Sequence, residues 1–470
     1  MKQALVFLSV SFLLIGNAYA GNVDTYGIGA KATALGGAFA AHADNVFAIH
    51  YNPAGLMQLK GASVAAGITA IDPVLTARNY TVEANPGLGT GQQGPANIAD
   101  DGPMLFDPHA GFAVPVAGKF VIGAALYSPY GLKLEWSKDP GRNPGAYNSY
   151  ESWYARTVAT PTVAYQVSDK LSVGLGVALG QTSSGAKYKL SQANANMLAY
   201  GIGQQMTMMG LPPAQIAAAM GAAQSLANGD IEADLKDDFN YSVNLGVMYR
   251  PVEALTFGLT YRSKASTSLE GDVEYKGSGA QMQALSALAP LGIQSSATGT
   301  VNDIDAPDQL QLGVRYMLTE KVSYEVDVVW TNWSAVEHET TYFDALFLGQ
   351  SSAENARFWR DTTQLRMGLE WRAHDLLSLR CGYFYDPSPV PDNTFDTLWA
   401  DADKKTYSVG AGLHLKNWTV DGAVQYTVTE MDRVLGGESE TLNESYGGSP
   451  VELSAGGCIW GFGLTVGYHF

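Results

Sequence analysis

The C-terminal segment 457–470 alternates without a break, with Cys458, Trp460, Phe462, Leu464, Val466, Tyr468 and Phe470 on one parity and Gly457, Ile459, Gly461, Gly463, Thr465, Gly467 and His469 on the other. A period of two is that of a β-strand, here with one apolar face and one small or polar face. The pattern recurs at Leu255, Phe257, Leu259 and Tyr261, and at Leu310, Leu312, Val314, Tyr316 and Leu318. It returns in 241–247, 324–330, 365–371, 407–415 and 420–428. Strands of soluble sandwiches usually run about 5 or 6 residues. Runs of about 10 or more, closed by aromatics, are the signature of a transmembrane barrel.

The spacing of these runs carries a second regularity. Strands are predicted at 60–72, 104–115, 119–135, 152–167, 171–190, 232–250, 254–275, 305–318, 321–336, 360–373, 376–388, 403–415, 418–433 and 454–470. The gaps alternate between short turns such as 167–170, 250–253, 318–321 and 372–375 and much longer insertions. Short turns on one side and long loops on the other are the asymmetry of a bacterial outer-membrane barrel, here of about 14 antiparallel strands. The expected fold class is therefore all-β, a closed transmembrane barrel spanning 60–470.

Composition narrows the function. Only 16% of residues are charged, glycine supplies 52 positions, and the formal net charge is −17. Such a chain is neither disordered nor a nucleic-acid binder, which would cluster Lys and Arg against phosphates. Beyond the N-terminus no run approaches the roughly 18 apolar residues of a spanning helix. Met1 and Lys2, the apolar stretch Ala4 to Ile15 and the small-x-small sequence Ala18-Tyr19-Ala20 read as a secretory signal over 1–20. The only two cysteines, Cys381 and Cys458, lie far apart in strand-like segments, which points to apolar-facing thiols rather than a disulfide framework.

Charged residues inside the strands fall largely on the non-apolar parity, among them Arg156, Arg262, Arg315, Glu325, Asp327, Arg366, Glu370, Arg380 and Asp421. That parity faces the lumen, because Arg facing lipid near the midplane costs about 2–4 kcal/mol. Two roles are open to them: pairing with one another, or gripping a ligand headgroup. Two long insertions carry short helices. Pro212-Pro213 opens one with Ile216, Met220, Ala223 and Ala227 on one side, ended by Asn228-Gly229; Met282, Leu285, Leu288 and Ala289 repeat the pattern before Pro290. Met208 and Met209 lie in the first insertion. These helices either cover their neighbours or, with the adaptability of Met-rich faces, form an apolar groove for a flexible ligand built from Met208, Met209, Ile216, Met220, Met282 and Leu285.

Residues 21–59 do not alternate and run Gly27-Ile28-Gly29-Ala30-Lys31-Ala32, Gly36-Gly37-Ala38-Phe39-Ala40, Ala43-Asp44-Asn45 and Asn52-Pro53-Ala54-Gly55-Leu56. With these runs, Tyr130-Gly131-Leu132, Thr260-Tyr261-Arg262-Ser263, Trp330-Thr331-Asn332-Trp333-Ser334, the Asp386–Pro391 segment and terminal Phe470, the chain resembles the FadL family, outer-membrane transporters of long-chain fatty acids and other hydrophobic compounds. The resemblance implies a fourteen-stranded barrel plugged by an N-terminal hatch over 21–59, loops that capture ligand, and sideways exit at a kink in the third strand. The matching positions are Gly21, Asn22, Asn52, Pro53 and Ala54 in the hatch, and Ser128, Pro129, Tyr130 and Gly131 at the kink. Proline removes a ladder donor and glycine permits a bulge, so the chemistry of a kink is present, as it is for an ordinary bulge.

An enzyme is not expected. No G-x-S-x-G occurs, and the seven histidines form no ligand cluster for a metal. Gly27-x-Gly29-x-x-Ala32 lacks the strand and βαβ context of a dinucleotide fingerprint, so no cofactor is expected. The rival is a general hydrophilic porin, which would need neither a hatch nor apolar loops. Expected partners are a long-chain fatty acid or similar hydrophobic small molecule, with outer-membrane lipids and lipopolysaccharide around a monomeric barrel.

Overall fold

The computed structural model describes residues 27–470 except Ala117, Asp303 and Trp399. The signal sequence read at 1–20, and Gly21 and Asn22, lie outside the described residues.

Fourteen strands build the wall. They are β1 (Ser63–Val82), β2 (Leu105–Val116), β3 (Phe120–Glu135), β4 (Glu151–Ser168), β5 (Leu171–Lys189), β6 (Asp230–Val252) and β7 (Leu255–Arg262). Then come β8 (Gln309–Thr319), β9 (Val322–Thr331), β10 (Thr362–His374), β11 (Leu377–Asp386), β12 (Lys404–Leu415), β13 (Trp418–Gly436) and β14 (Val451–His469). Each pairs antiparallel with the next, and β14 returns to β1 from Ser63↔His469 to Val82↔Val451, so the sheet closes on itself. Closure pairs the strand edges around the ring, as lipid demands, except above Ala110 and Leu126, where the β2–β3 ladder stops. The C-terminus ends on the short-turn side, where the Phe470 N–H donates to the Ala62 carbonyl at 2.9 Å.

The two parities of the sequence become the two surfaces of the wall. Ile68, Phe112, Leu126, Leu245, Leu312 and Leu464 are exposed on the outside, where lipid takes the place of a protein core. Aromatic pairs sit at the short-turn rim, with Phe120 against Tyr165 and Trp418 against Tyr468, both at 4.7 Å between centroids. Cys381 is exposed and Cys458 half-buried, and both thiols are free. On the inside the small residues make room for 27–59, which fill the lumen. A side chain added at Gly246 would meet Pro53 at 2.7 Å, and one at Gly368 would meet the Leu35 carbonyl at 2.7 Å. Glycine on the inward parity is therefore a packing requirement of the plug.

The strand predicted as one run over 254–275 breaks in the structure. β7 stops at Arg262 and the chain resumes as Leu269–Lys276, paired with the outer part of β6 and with Ser296–Val301. Side chains replace the ladder at the break: Ser263 Oγ accepts the Val243 N–H at 2.9 Å, and Asp308 Oδ1 accepts the Lys264 N–H at 3.0 Å. β1 runs ten residues beyond its predicted end at 72, and extracellular strands at Gln93–Ala99, His338–Phe347 and Gln350–Ala356 were not predicted.

Among the described residues four helices cap the extracellular end, α3 (Gln192–Met208), α4 (Pro213–Gln224), α5 (Gly279–Leu288) and the short α6 (Glu440–Glu444), preceded in the chain by the short α1 (Ala30–Ala34) and α2 (Ala48–Tyr51) of the plug. Ser191 caps α3 by accepting the Asn194 N–H, and Ser278 with Gln281 forms a capping box on α5. α4 and α5 follow the proline and helix periods of the sequence. α3 was missed, because its Ala, Asn, Gly and Gln content gives only a faint apolar stripe.

Candidate functional site

Residues 27–59 have little regular structure, so their backbone polar groups need partners inside the barrel. The inward parity supplies them. Glu325 Oε1 accepts the N–H groups of Ala41 at 2.7 Å and His42 at 3.3 Å, and Asp327 Oδ2 accepts those of Phe39 at 3.1 Å and Ala40 at 3.0 Å. Asn244 donates to the carbonyls of Ile49 and His50, Thr260 to that of Tyr51, and Ser172 to that of Ala54. Asn52 is fully buried, donates to Ala40 at 2.7 Å and Val247 at 3.1 Å, and caps the turn at Pro53–Gln58 by accepting the Ala54 N–H. Pro53 and Ala54 press against Gly174 and Gly246.

An ion network joins the plug to the wall. Lys31 Nζ lies 2.9 Å from Asp44 and 3.5 Å from Glu370, and Arg380 bridges Glu370 at 2.7 Å and Asp421 at 2.6 Å. Burial alone would raise the Asp44 carboxyl, but Lys31 and His42 hold it well below the usual carboxylate range. Burial, with Arg262 and Arg366 nearby, keeps His50 well below the usual histidine value and so neutral. The other predicted lumen cations bind neutral groups as well: Arg156 donates to Asn240 at 2.8 Å and Ser242 at 3.3 Å, Arg262 to the His50 carbonyl at 3.1 Å, and Arg315 to Ser323 at 3.2 Å.

The wall is interrupted beside the third strand. The β2–β3 ladder ends at Ala110↔Leu126, while Leu105–His109 go on pairing with β1 and β3 goes on pairing with β4. Above Leu126, β3 gains one residue over β4, because Tyr127 faces Val158 but Tyr130 faces Arg156. This is a β-bulge at Ser128-Pro129, and it reverses the alternation, so that Tyr130, Leu132 and Leu134 are the buried positions beyond it. Ser128 Oγ is 3.1 Å from Thr157 Oγ1, and a side chain added at Gly131 would meet nothing within 4 Å. The gap closes again at its top, where the Asp101 N–H donates to the Glu135 carbonyl and the Glu135 N–H donates to Asp100 Oδ1, both at 2.8 Å. The result is a window between β2 and β3.

A cavity of about 750 Å³ lies behind the window. It touches Gly27 of the plug, Leu105 and Asp107 on one edge of the window, and Ser128, Tyr130 and Gly131 on the other. Trp153, Tyr154 and Ala155 of β4 contribute to its wall, and its outer rim carries charge. There Lys133 is 3.2 Å from Glu151, Lys187 is 2.7 Å from Glu151, and Lys276 is 3.1 Å from Glu274. Asp107, the charged rim and the Asp100–Glu135 clasp were not singled out from sequence. The Lys and Glu positions at the outer ends of β3 to β6 were a readable signal; the clasp, between residues 35 apart in a loop and a strand, had none.

Of the six loop residues predicted to form a groove, four come together. Ile216, Met220, Met282 and Leu285 belong to one apolar cluster with Ile202, Met206, Leu226 and Leu288. Met208 and Met209 do not join it and are 69% and 60% exposed, because the buried stripe of α3 runs through Leu198, Ile202 and Met206 and these two residues turn off it.

The family model of outer membrane protein transport proteins (OMPP1/FadL/TodX) matches residues 13–470. A putative outer membrane protein of Neisseria meningitidis serogroup B is 26% identical over 439 residues, 88% of this chain and 89% of that one. A long-chain fatty acid transport protein of Escherichia coli O6:H1 is 23% identical over 438 residues, covering 91% and 89%. The crystal structure of a Pseudomonas aeruginosa FadL homologue superposes with a TM-score of 0.76 at 18% identity, covering 98% of this chain and 100% of the other.

Proposed function

The chain belongs to the OMPP1/FadL/TodX family of outer membrane transport proteins, and on that footing we propose that it takes up long-chain fatty acids or similar hydrophobic compounds passively, with sideways release into the bilayer. Members of the family are transporters of hydrophobic compounds rather than enzymes, and the protein resides in the outer membrane of a Gram-negative bacterium. In the proposed sequence the apolar cluster of α3, α4 and α5 captures the ligand, the cavity binds it, the hatch over 21–59 shifts at its N-terminal end, and the ligand leaves between β2 and β3. Outer-membrane lipids and lipopolysaccharide surround the barrel, which works as a monomer.

The observation that carries this reading is the position of the cavity, in contact with the plug at Gly27, with both window edges and with the outer rim. Energetics favours the sideways route. A hydrophobic ligand gains about 25 cal/mol per Å² of apolar area removed from water, and release into the aqueous periplasm would forfeit that gain. Attachments of the plug are unevenly distributed in a way that suits partial movement: from Ala30 to Ala54 side chains of several strands hold it, whereas at Gly27 the hydrogen bond from Thr69 is long, at 3.4 Å. A hydrophilic porin is disfavoured because the plug occupies the lumen. The test is extraction of the purified protein with organic solvent, mass spectrometry of the extract, and single-channel recording of the same sample. A bound hydrophobic compound and a closed channel are expected; open-porin conductance with no such compound would overturn the reading.

A further inference from the structure

The uptake reading leaves open which hydrophobic compounds the cavity accepts, and the charges around it bear on that choice. Three lysines line the cavity, Lys133, Lys187 and Lys276. Each is already engaged by carboxylates: Lys133 by Glu135 at 2.5 Å and Glu151 at 3.2 Å, Lys187 by Glu151 at 2.7 Å, and Lys276 by Glu232 at 2.5 Å and Glu274 at 3.1 Å. Against these three cations stand six lining carboxylates, the three partners Glu151, Glu232 and Glu274 together with Asp107, Asp234 and Asp272. Asp234 is 4.0 Å from Lys236, outside the lining; the lining is still net negative, and a ligand carboxylate entering it meets paired cations and the surplus carboxylates Asp107 and Asp272.

Asp107 stands where this matters most. It lies on the inward parity of β2, opposite Thr69 in the ladder with β1, on the stretch that has no partner strand on its β3 side. Ser128 lines the cavity across the window from it. The Asp107 Oδ1 is buried and has no hydrogen-bond partner among the described residues. A buried acceptor without a donor is costly, and one that faces a ligand route is satisfied by a ligand that brings a donor. A hydroxyl is a neutral group that brings such a donor.

We propose that Asp107 is a specificity-determining residue at the window, and that the cavity takes uncharged amphiphiles carrying a hydroxyl group, such as long-chain alcohols, in preference to carboxylates of the same chain length. This rests on the uptake reading above. A neutral hydroxyl donates to Asp107 while its chain occupies the apolar wall at Tyr130, Leu132 and Tyr154. A carboxylate offers Asp107 no donor and sets a like charge beside it, which disfavours the charged form of both.

The test is binding of hexadecanol and of palmitate to the purified full-length protein in neutral detergent at neutral pH, each measured by displacement of a neutral fluorescent lipid probe. Wild type is expected to hold hexadecanol at least about tenfold more tightly than palmitate. Asp107→Asn is expected to narrow that ratio, and Asp107→Lys to reverse it; heat-modifiable migration establishes that each variant is folded. Equal binding, a preference for palmitate, or a ratio unmoved in both variants would overturn this proposal and leave the uptake reading standing. Failure of both ligands to displace the probe would overturn the two together.

Discussion

The Asp327 carboxylate on β9 accepts the backbone N–H of Ala40, 3.0 Å away and 287 residues earlier in the chain. The same oxygen also takes the Phe39 N–H and is steadied by the Gln311 amide at 2.7 Å, while Glu325 one inward position away takes Ala41 and His42. The wall thus fastens the middle of the plug by its backbone, whatever side chains the plug carries.

Removing these acceptors should loosen the plug without unfolding the barrel. In Glu325→Ala/Asp327→Ala the buried N–H groups lose their partners, at a cost of about 1–3 kcal/mol for each. The expected result is a barrel that still shows heat-modifiable migration but conducts measurably more in planar bilayers. Asp327→Asn alone keeps an oxygen acceptor and should behave nearly as wild type.

The clasp above the window should respond to pH. Asp100 lies in an extracellular loop, and burial pushes its carboxyl up to about 6 from 3.8, with Glu135 and Asp101 adding to the rise. The folded state therefore binds the proton more tightly than the unfolded state. That contribution is fully present below about pH 4 and is lost as pH rises through 6. Hydrogen exchange at the Asp101 and Glu135 amides, corrected for intrinsic rates, should show protection falling between those values in wild type. Asp100→Asn should flatten the profile.

Capture should depend on the loop cluster. Met220→Ser/Leu285→Ser removes apolar surface where α4 meets α5, and the concentration giving half-maximal uptake should rise about tenfold, equivalent to ~1.4 kcal/mol. Maximal uptake should be nearly unchanged, because the cavity and window are untouched. Serine at exposed Met208, which stands outside the cluster, should have no effect.

The wall was legible in the sequence because lipid on one side and a polar interior on the other impose a strict period of two. Each of the fourteen wall strands overlaps the run that alternation placed there, and the break in the run over 254–275 occurs where side chains, not alternation, decide the structure. Arg262 ends β7 because Ser263 and Asp308 take over its neighbours' hydrogen bonds, a long-range event invisible locally. The inward parity of Glu325 and Asp327 was readable, but their partners were not: a carboxylate bound to backbone N–H groups leaves no complementary residue type to find. The reversal of alternation at Ser128-Pro129 was half legible. Proline and glycine marked the place, and only the pairing with β2 reveals that the ladder also ends there.

The most direct measurement concerns the window. Pro129 and Gly131 are replaced together by valine, which favours regular strand, and at Gly131 there is space for the new side chain. Uptake of a radiolabelled hydrophobic substrate by whole cells is compared with binding of the same compound to the purified variant. Sideways release through the β2–β3 window predicts that uptake falls at least about tenfold while affinity changes less than about threefold. Undiminished uptake by a folded, normally inserted double variant would contradict it, and would place the exit elsewhere in the wall or along the barrel axis.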